Sequence, residues 1–174
     1  MPGVGKADGV ESAWAFRFHL GEASVRGIGS FEVQRGPARV ARLLCALMRA
    51  PVSGSAVPVR VDVLRRPDGE VWTRVIGGRT YVSRQARRSR RVQERIGPLE
   101  LDFRIAVEAD GLEYEQVRAT FRLGRLRLPI PRGIVPTVRA RVQTRGEHSF
   151  FVRVDASGPG ALPLFSYYGV VEEV

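Results

Sequence analysis

A chain of 174 residues, 44% apolar and 26% charged, is long enough for one self-sufficient core and too short for two, which excludes bulk disorder and sets a single domain as the expectation. Its net charge of +10 is almost wholly arginine, Lys6 being the one lysine. No stretch approaches the roughly 20 apolar residues of a bilayer span, no cationic and apolar leader opens the chain, and the lone Cys45 cannot form an internal disulfide. A cytoplasmic protein is the expectation.

In chain order, residues 1–12 are small, polar and glycine-rich, and are expected to form a flexible tail before a β-barrel-like domain over 13–174. Trp14, Phe16 and Phe18 alternate with Ala15, Arg17 and His19, the period of a half-buried strand. A second strand is expected over Val25 to Gln34. One amphipathic helix follows at about 37–50: Pro37 suits its first turn, and Val40, Leu43, Leu44, Leu47 and Met48 recur at helical spacing. Arg39, Arg42 and Arg49 on its polar side would fit a membrane surface. The width of the apolar stripe and the lack of an aromatic wedge favour a helix that covers a sheet.

Strand periods then repeat. Val57, Val59, Val61 and Val63 alternate with polar neighbours up to the turn Arg66-Pro67-Asp68-Gly69, and Glu70 to Ile76 returns as the hairpin partner. After Gly77-Gly78 a further strand begins at Arg79 and continues through the basic tract Arg84 to Arg95, until Ile96-Gly97-Pro98 breaks the chain. Leu99 to Val107 and Leu112 to Leu123 form the next hairpin. The proline-rich segment Leu128 to Pro136 reads as an extended, curved connection. Val138 to Arg145, Ser149 to Asp155 and Phe165 to Val171 complete the set.

Eight to ten short strands and one helix predict a mainly β fold, a curved antiparallel meander closing into a lipocalin-like barrel or half-barrel with the helix covering it. Periodicity leaves open whether the barrel closes or the sheet wraps around the helix.

The chemistry-bearing positions lie on these strands. Trp72 and Arg74 are two apart and share one face with Glu70 and Ile76. An inward Arg74 needs a carboxylate, for which Glu94 is the first choice ahead of Glu70 and Asp102, because an unpaired buried guanidinium is very costly. Such a pair either fixes strand register or orients a ligand. Trp72, Arg74 and Ser83 are candidate ligand-binding residues, with Glu94 and Tyr114 as candidate catalytic groups; Tyr167 and Tyr168 point to opposite faces, so only one of them can look inward. The basic tract has no aromatic for base stacking, so nucleic-acid binding is disfavoured against a solvated strand or loop. His19, His148 and Cys45 have no metal-ligand spacing, and neither a dinucleotide fingerprint nor a phosphate-loop lysine is present, so no metal and no cofactor is expected.

These positions carry a family resemblance. Gly29-Ser30-Phe31-Glu32-Val33 with Arg35-Gly36, Glu70-Val71-Trp72-Thr73-Arg74, Ser83, Glu94-Arg95-Ile96-Gly97-Pro98, Gly111-Leu112-Glu113-Tyr114, Leu128-Pro129 and Tyr168-Gly169 resemble a bacterial domain of unknown function. That domain is often found at the C-terminus of saccharopine-dehydrogenase-like proteins and also stands alone. The resemblance implies no established activity, cofactor or catalytic residue; its pattern favours Tyr168 over Tyr167 as the inward tyrosine and so as a further candidate ligand-binding residue. Members commonly carry acids just after the proline-rich segment, where this chain has Arg139 and Val142.

Three functions stay in contention. One is a barrel binding a hydrophobic or amphipathic small molecule in its interior, with Arg74 orienting it and Trp72 packing along it. The second is a cofactor-free cyclase or isomerase using the same pocket, with Glu94 or a tyrosine polarising the substrate. The third, implied by the resemblance, is an accessory domain for an oxidoreductase-like partner. The sequence does not reveal an oligomeric state.

Overall fold

The computed structural model describes residues 14–21, 23–88, 91–131 and 133–174; the expected tail over 1–12 lies outside them. In chain order the elements are helix α1 (Trp14–Leu20), β1 (Val25–Arg35), helix α2 (Arg39–Leu47), β2 (Gly54–Arg66), β3 (Gly69–Ile76), β4 (Arg79–Arg88), β5 (Arg91–Ile96), β6 (Leu99–Val107), β7 (Gly111–Leu123), β8 (Leu126–Pro129), β9 (Thr137–Thr144), β10 (Ser149–Ser157) and β11 (Pro163–Glu173). A single turn of 3₁₀ helix, Pro159–Ala161, joins the last two strands.

Each strand pairs antiparallel with its neighbours, and ten of them close into a barrel in the order β1 to β7, β9, β10, β11 and back to β1. β8 folds back on the far end of β7 as a short flap, pairing Phe121 with Leu128 and Leu123 with Leu126. Closure answers the question that periodicity left open. The alternation is apolar inward and charged outward, the reverse of a membrane-spanning barrel: Val59, Val61, Val63, Leu101, Phe103, Ile105, Phe150 and Val171 are all buried. Among the described residues no helix is long and apolar enough to cross a membrane.

Because the strands alternate in direction, the barrel has two distinct ends. The turns β3–β4, β5–β6 and β7–β8, together with α2, lie at the upper end. The turns β2–β3, β4–β5, β6–β7 and β9–β10 lie at the lower end.

Two sequence expectations fail on the helices. The segment around Trp14, Phe16 and Phe18 is not a strand but α1, with Ala15, Phe16 and Phe18 packed in the main core. Ala15, Phe16, Phe18 and His19 stand at i, i+1, i+3 and i+4, a helical set that appears only once Ala15 and His19 count as inward. Its last carbonyls, orphaned at any helix end, are taken by cations: Arg65 Nη2 donates to Phe18 O at 2.6 Å and Arg87 Nη1 to Leu20 O at 2.7 Å.

α2 forms within the expected range but turns the other way round. Its small residues Ala41 and Cys45, with Ala50 just beyond, pack against Ala156 and Leu164, while Val40, Leu43 and Met48 face solvent. The reason is close approach. Cys45 Sγ lies 3.2 Å from Leu164 O, and a Cβ on Gly36 would fall 1.9 Å from Pro163 O, so large side chains do not fit between helix and strand. The exit of α2 is strapped to the rim by Arg35 and Arg79, both donating to Ala50 O, and by Tyr81 Oη donating to Arg49 O at 2.8 Å.

Two smaller differences remain. The basic tract is a hairpin, β4 against β5, because Arg87 pairs with Val92 and Arg88 with Arg91. The proline-rich connection is not extended as expected: its start, Leu128 and Pro129, belongs to β8, and beyond it the chain turns, with Ile134 N and Val135 N both donating to Pro131 O.

Candidate functional site

β3, β4 and β5 bring Arg74, Ser83 and Glu94 to one point inside the barrel. Residues of equal parity on β3 point inward, so Glu70, Trp72, Arg74 and Ile76 share the lumenal face. Trp72 stands opposite Ser83, and Gln85 opposite Glu94. Arg74 Nη1 donates to Glu94 Oε1 at 3.0 Å and to Ser83 Oγ at 2.9 Å, while Ser83 Oγ donates to the same carboxylate oxygen at 2.5 Å. The guanidinium lies over the Trp72 ring, 4.8 Å from its centroid. Burial pushes the Glu94 carboxyl up, but the Arg74 charge and hydrogen bonds led by Ser83 outweigh it and hold Glu94 below the usual carboxylate range. Glu94 is an ionised counter-ion.

The guanidinium is only half used. Neither Nε nor Nη2 of Arg74 is hydrogen bonded to a described residue, and 21% of the side chain is accessible although it points into the lumen; Glu94 keeps 12%. Ser83 and Trp72 beside them are buried.

Trp72 does not offer a free face. Phe18 meets it edge-on at 5.7 Å, His19 lies 5.3 Å away, and its Nε1 donates to Glu70 Oε2 at 2.8 Å. Glu70 in turn takes Arg65 at 3.2 Å and Arg87 at 2.9 Å, the two arginines that hold the end of α1. The packing role expected of Trp72 toward a ligand is thus taken by the protein itself.

Tyr114 faces the lumen from β7, with its hydroxyl 3.2 Å from His19 Nδ1; burial raises its pKa. His19 Nε2 is sealed from solvent and without a hydrogen-bond partner in either tautomer. Burial, aided by the charge of Arg74, lowers the His19 pKa to about 3, so the imidazole is neutral.

Tyr168, the inward tyrosine by the family pattern, faces out instead. It pairs with Glu32 and Arg153 and meets the ring of Phe151 on the outer face. Tyr167 is the inward residue, stacked on Phe31 at 5.0 Å and Phe165 at 6.4 Å, with its hydroxyl pKa raised by burial in a field that includes Arg74 and Glu94. Alternation of Phe165, Tyr167 and Val171 against Ser166, Tyr168 and Glu172 was a readable signal for it. His19 had no such signal, since its segment imitates a strand.

Two surface clefts lie elsewhere. One of about 370 Å³ opens beside Arg104, Gln116, Arg118 and Val135, where β7 parts from β9; the other, of about 360 Å³, lies beside Arg35 and Phe165. Neither includes the Arg74–Glu94 pair. Among the described residues no three His, Cys, Asp or Glu side chains gather as a metal site, and Cys45 is buried with its thiol pKa raised. A family model, the domain of unknown function DUF4166, matches residues 11–171. No curated protein and no solved structure matches the chain.

Proposed function

The chain belongs to the DUF4166 family, whose description carries no activity, and on that footing we propose from the geometry that it is a barrel binding an amphipathic small molecule in its lumen. The observation that supports this is Arg74: a cation inside the barrel, fixed by Ser83 and Glu94 through one nitrogen, with two further donors unengaged and part of its surface accessible. A pair needed only for register is replaceable by aliphatic residues at no loss of stability. An anionic or carbonyl oxygen of the ligand would meet Nε and Nη2 of Arg74, and its apolar body would lie toward the upper end against Phe31, Tyr81 and Tyr167. α1 closes the lower end.

The cyclase or isomerase alternative is supported less well. Glu94, held ionised, does not serve as a proton donor, so the chemistry would fall to Tyr114 and the neutral His19. An accessory role beside an oxidoreductase-like partner rests on the sequence resemblance alone.

Thermal unfolding with a panel of aliphatic and aromatic carboxylates and their neutral amides tests the proposal. A ligand at 100 times its Kd stabilises by about 2.7 kcal/mol, roughly 5 to 10 °C for a chain of this size. The rise is expected for a subset of carboxylates and is expected to vanish in Arg74→Met. No rise across the panel, or one that Arg74→Met retains, sinks it.

A further inference from the structure

We propose that the upper end of the barrel docks on an anionic lipid bilayer, through α2 on one side of the rim and the β7–β8 flap across from it. This goes beyond lumenal binding and does not depend on it.

Both elements carry unpartnered apolar side chains. On α2 and its exit, Val40 is 60% exposed and Leu43 69%, with Met48 and Val52 beside them. On the flap, Phe121, Leu123, Leu126 and Leu128 share one face by their pairing, Phe121 opposite Leu128 and Leu123 opposite Leu126, and all four are exposed. Patches of this kind on a soluble surface mark a site of contact.

Charge says with what. Arg39, Arg42 and Arg49 flank the α2 patch, and Arg125 sits at the tip of the flap; all are exposed, and none forms an ion pair with a described residue. The segments that build this end contain no acid at all from Val33 to Val61 or from Gln116 to Gly146. By contrast, every acidic residue in a described connection between strands, namely Asp68, Glu108, Asp110 and Glu147, lies at the lower end. Arginines without an ion pair to a described residue stand at both ends, Arg66, Arg88 and Arg91 at the lower, but the upper end joins them to two apolar clusters and to connections free of acid, so it is the acids that polarise the molecule along the barrel axis. Apolar side chains set among arginines match the two layers of an anionic interface, where acyl chains lie under phosphate. A protein partner would need acidic residues matched to each arginine. A nucleic acid would leave the leucines without a use.

Flotation of the purified chain with phosphatidylcholine vesicles, with and without about a third phosphatidylserine, tests the docking face. Binding is expected to the anionic vesicles alone. Val40→Ser/Leu43→Ser/Leu126→Ser, which changes no charge and only exposed positions, is expected to weaken it at least tenfold, as is Arg39→Gln/Arg42→Gln/Arg125→Gln. Asp110→Asn at the lower end is expected to leave it unchanged, and circular dichroism checks that each variant is folded. Absence of binding to anionic vesicles overturns the proposal. So does binding that survives the serine variant, which would show attraction to any polyanion. Duplex DNA bound more tightly than the vesicles, or self-association in sedimentation velocity that the serine variant dissolves in place of vesicle binding, overturns it as well.

Discussion

Arg74 reaches Ser83 and Glu94 with a single nitrogen, and most of what the site can do follows from that economy. Removing the guanidinium leaves Glu94 inside the barrel with only the neutral donors Ser83 and Gln85 to answer it. Arg74→Met is expected to destabilise by about 2 to 3 kcal/mol, the cost of a stranded carboxylate moderated by its partial access to water. Arg74→Met/Glu94→Leu is expected to recover most of the loss. Urea unfolding of the two variants checks this, and equal losses would deny the pair its mutual dependence. His19 gives a pH signature. Its folded pKa, about 3, lies below the unfolded value of 6.5, so the unfolded chain binds the extra proton and stability falls as pH drops from 6.5 toward 3. The total is of order 5 kcal/mol. Glu94, also depressed, adds its loss only below its ordinary value of 4.5, which leaves pH 6.5 to 5 to the histidine. His19→Phe is expected to flatten the urea midpoint across that window. The Arg74–Glu94 pair was legible in the sequence because strand parity put Arg74 inward and burial demanded a carboxylate. His19 was not, because strand alternation in its short segment put it on the face of Arg17.

Strands were read more faithfully than helices, and the cause is what each element packs against. A barrel strand has one inner and one outer face, so alternation such as Leu99, Leu101, Phe103, Ile105 survives into the structure with only the bulge between Asp102 and Phe103 to disturb it. α1 is so short that the contrast between its buried Ala15, Phe16 and Phe18 and its exposed Arg17 reads equally as strand alternation. α2 has the contrast, but packing distance and not hydrophobicity chooses which side goes down: Ala41 and Cys45 meet the strand directly, with Leu44 packed partly buried beside them. Phe18, in ring contact with Trp72 and Phe150, is the anchor of α1. Phe18→Ala is expected to cost about 3 to 4 kcal/mol, measurable in the same urea assay, and a loss under 1 kcal/mol would mean that the helix is not a core element. Between β11 and β1 the strands crowd together: a Cβ on Gly169 would stand 2.0 Å from Ser30 O. Gly169→Ala is expected to lower the melting temperature more than any alanine placed on the outer faces.

At the level of the whole molecule, a barrel with an aromatic plug at one pole and a basic, apolar rim at the other has a direction, which neither composition nor periodicity could reveal. Along the chain the charge is densest from Arg84 to Arg95; folding sends the turn of that tract to the lower end with the acidic connections and leaves the arginines of α2 at the other end without acids. The same alternation governs how the molecule can assemble. Pairings between neighbouring strands join residues close in sequence, apart from β1 to β2, which spans α2 with Val25 opposite Val63, and β7 to β9, which spans the flap with Gly111 opposite Gln143. The β1–β11 seam stands apart, setting Gly27 against Glu173 and Arg35 against Phe165. Nearly everything else can zip as a succession of local hairpins, while this one latch must wait for both ends of the meander to meet, since long-range loop closure is paid in entropy before it is rewarded. Substitutions along the seam should therefore speed unfolding and leave the refolding rate almost untouched, whereas substitutions in the β3–β4 hairpin should slow refolding.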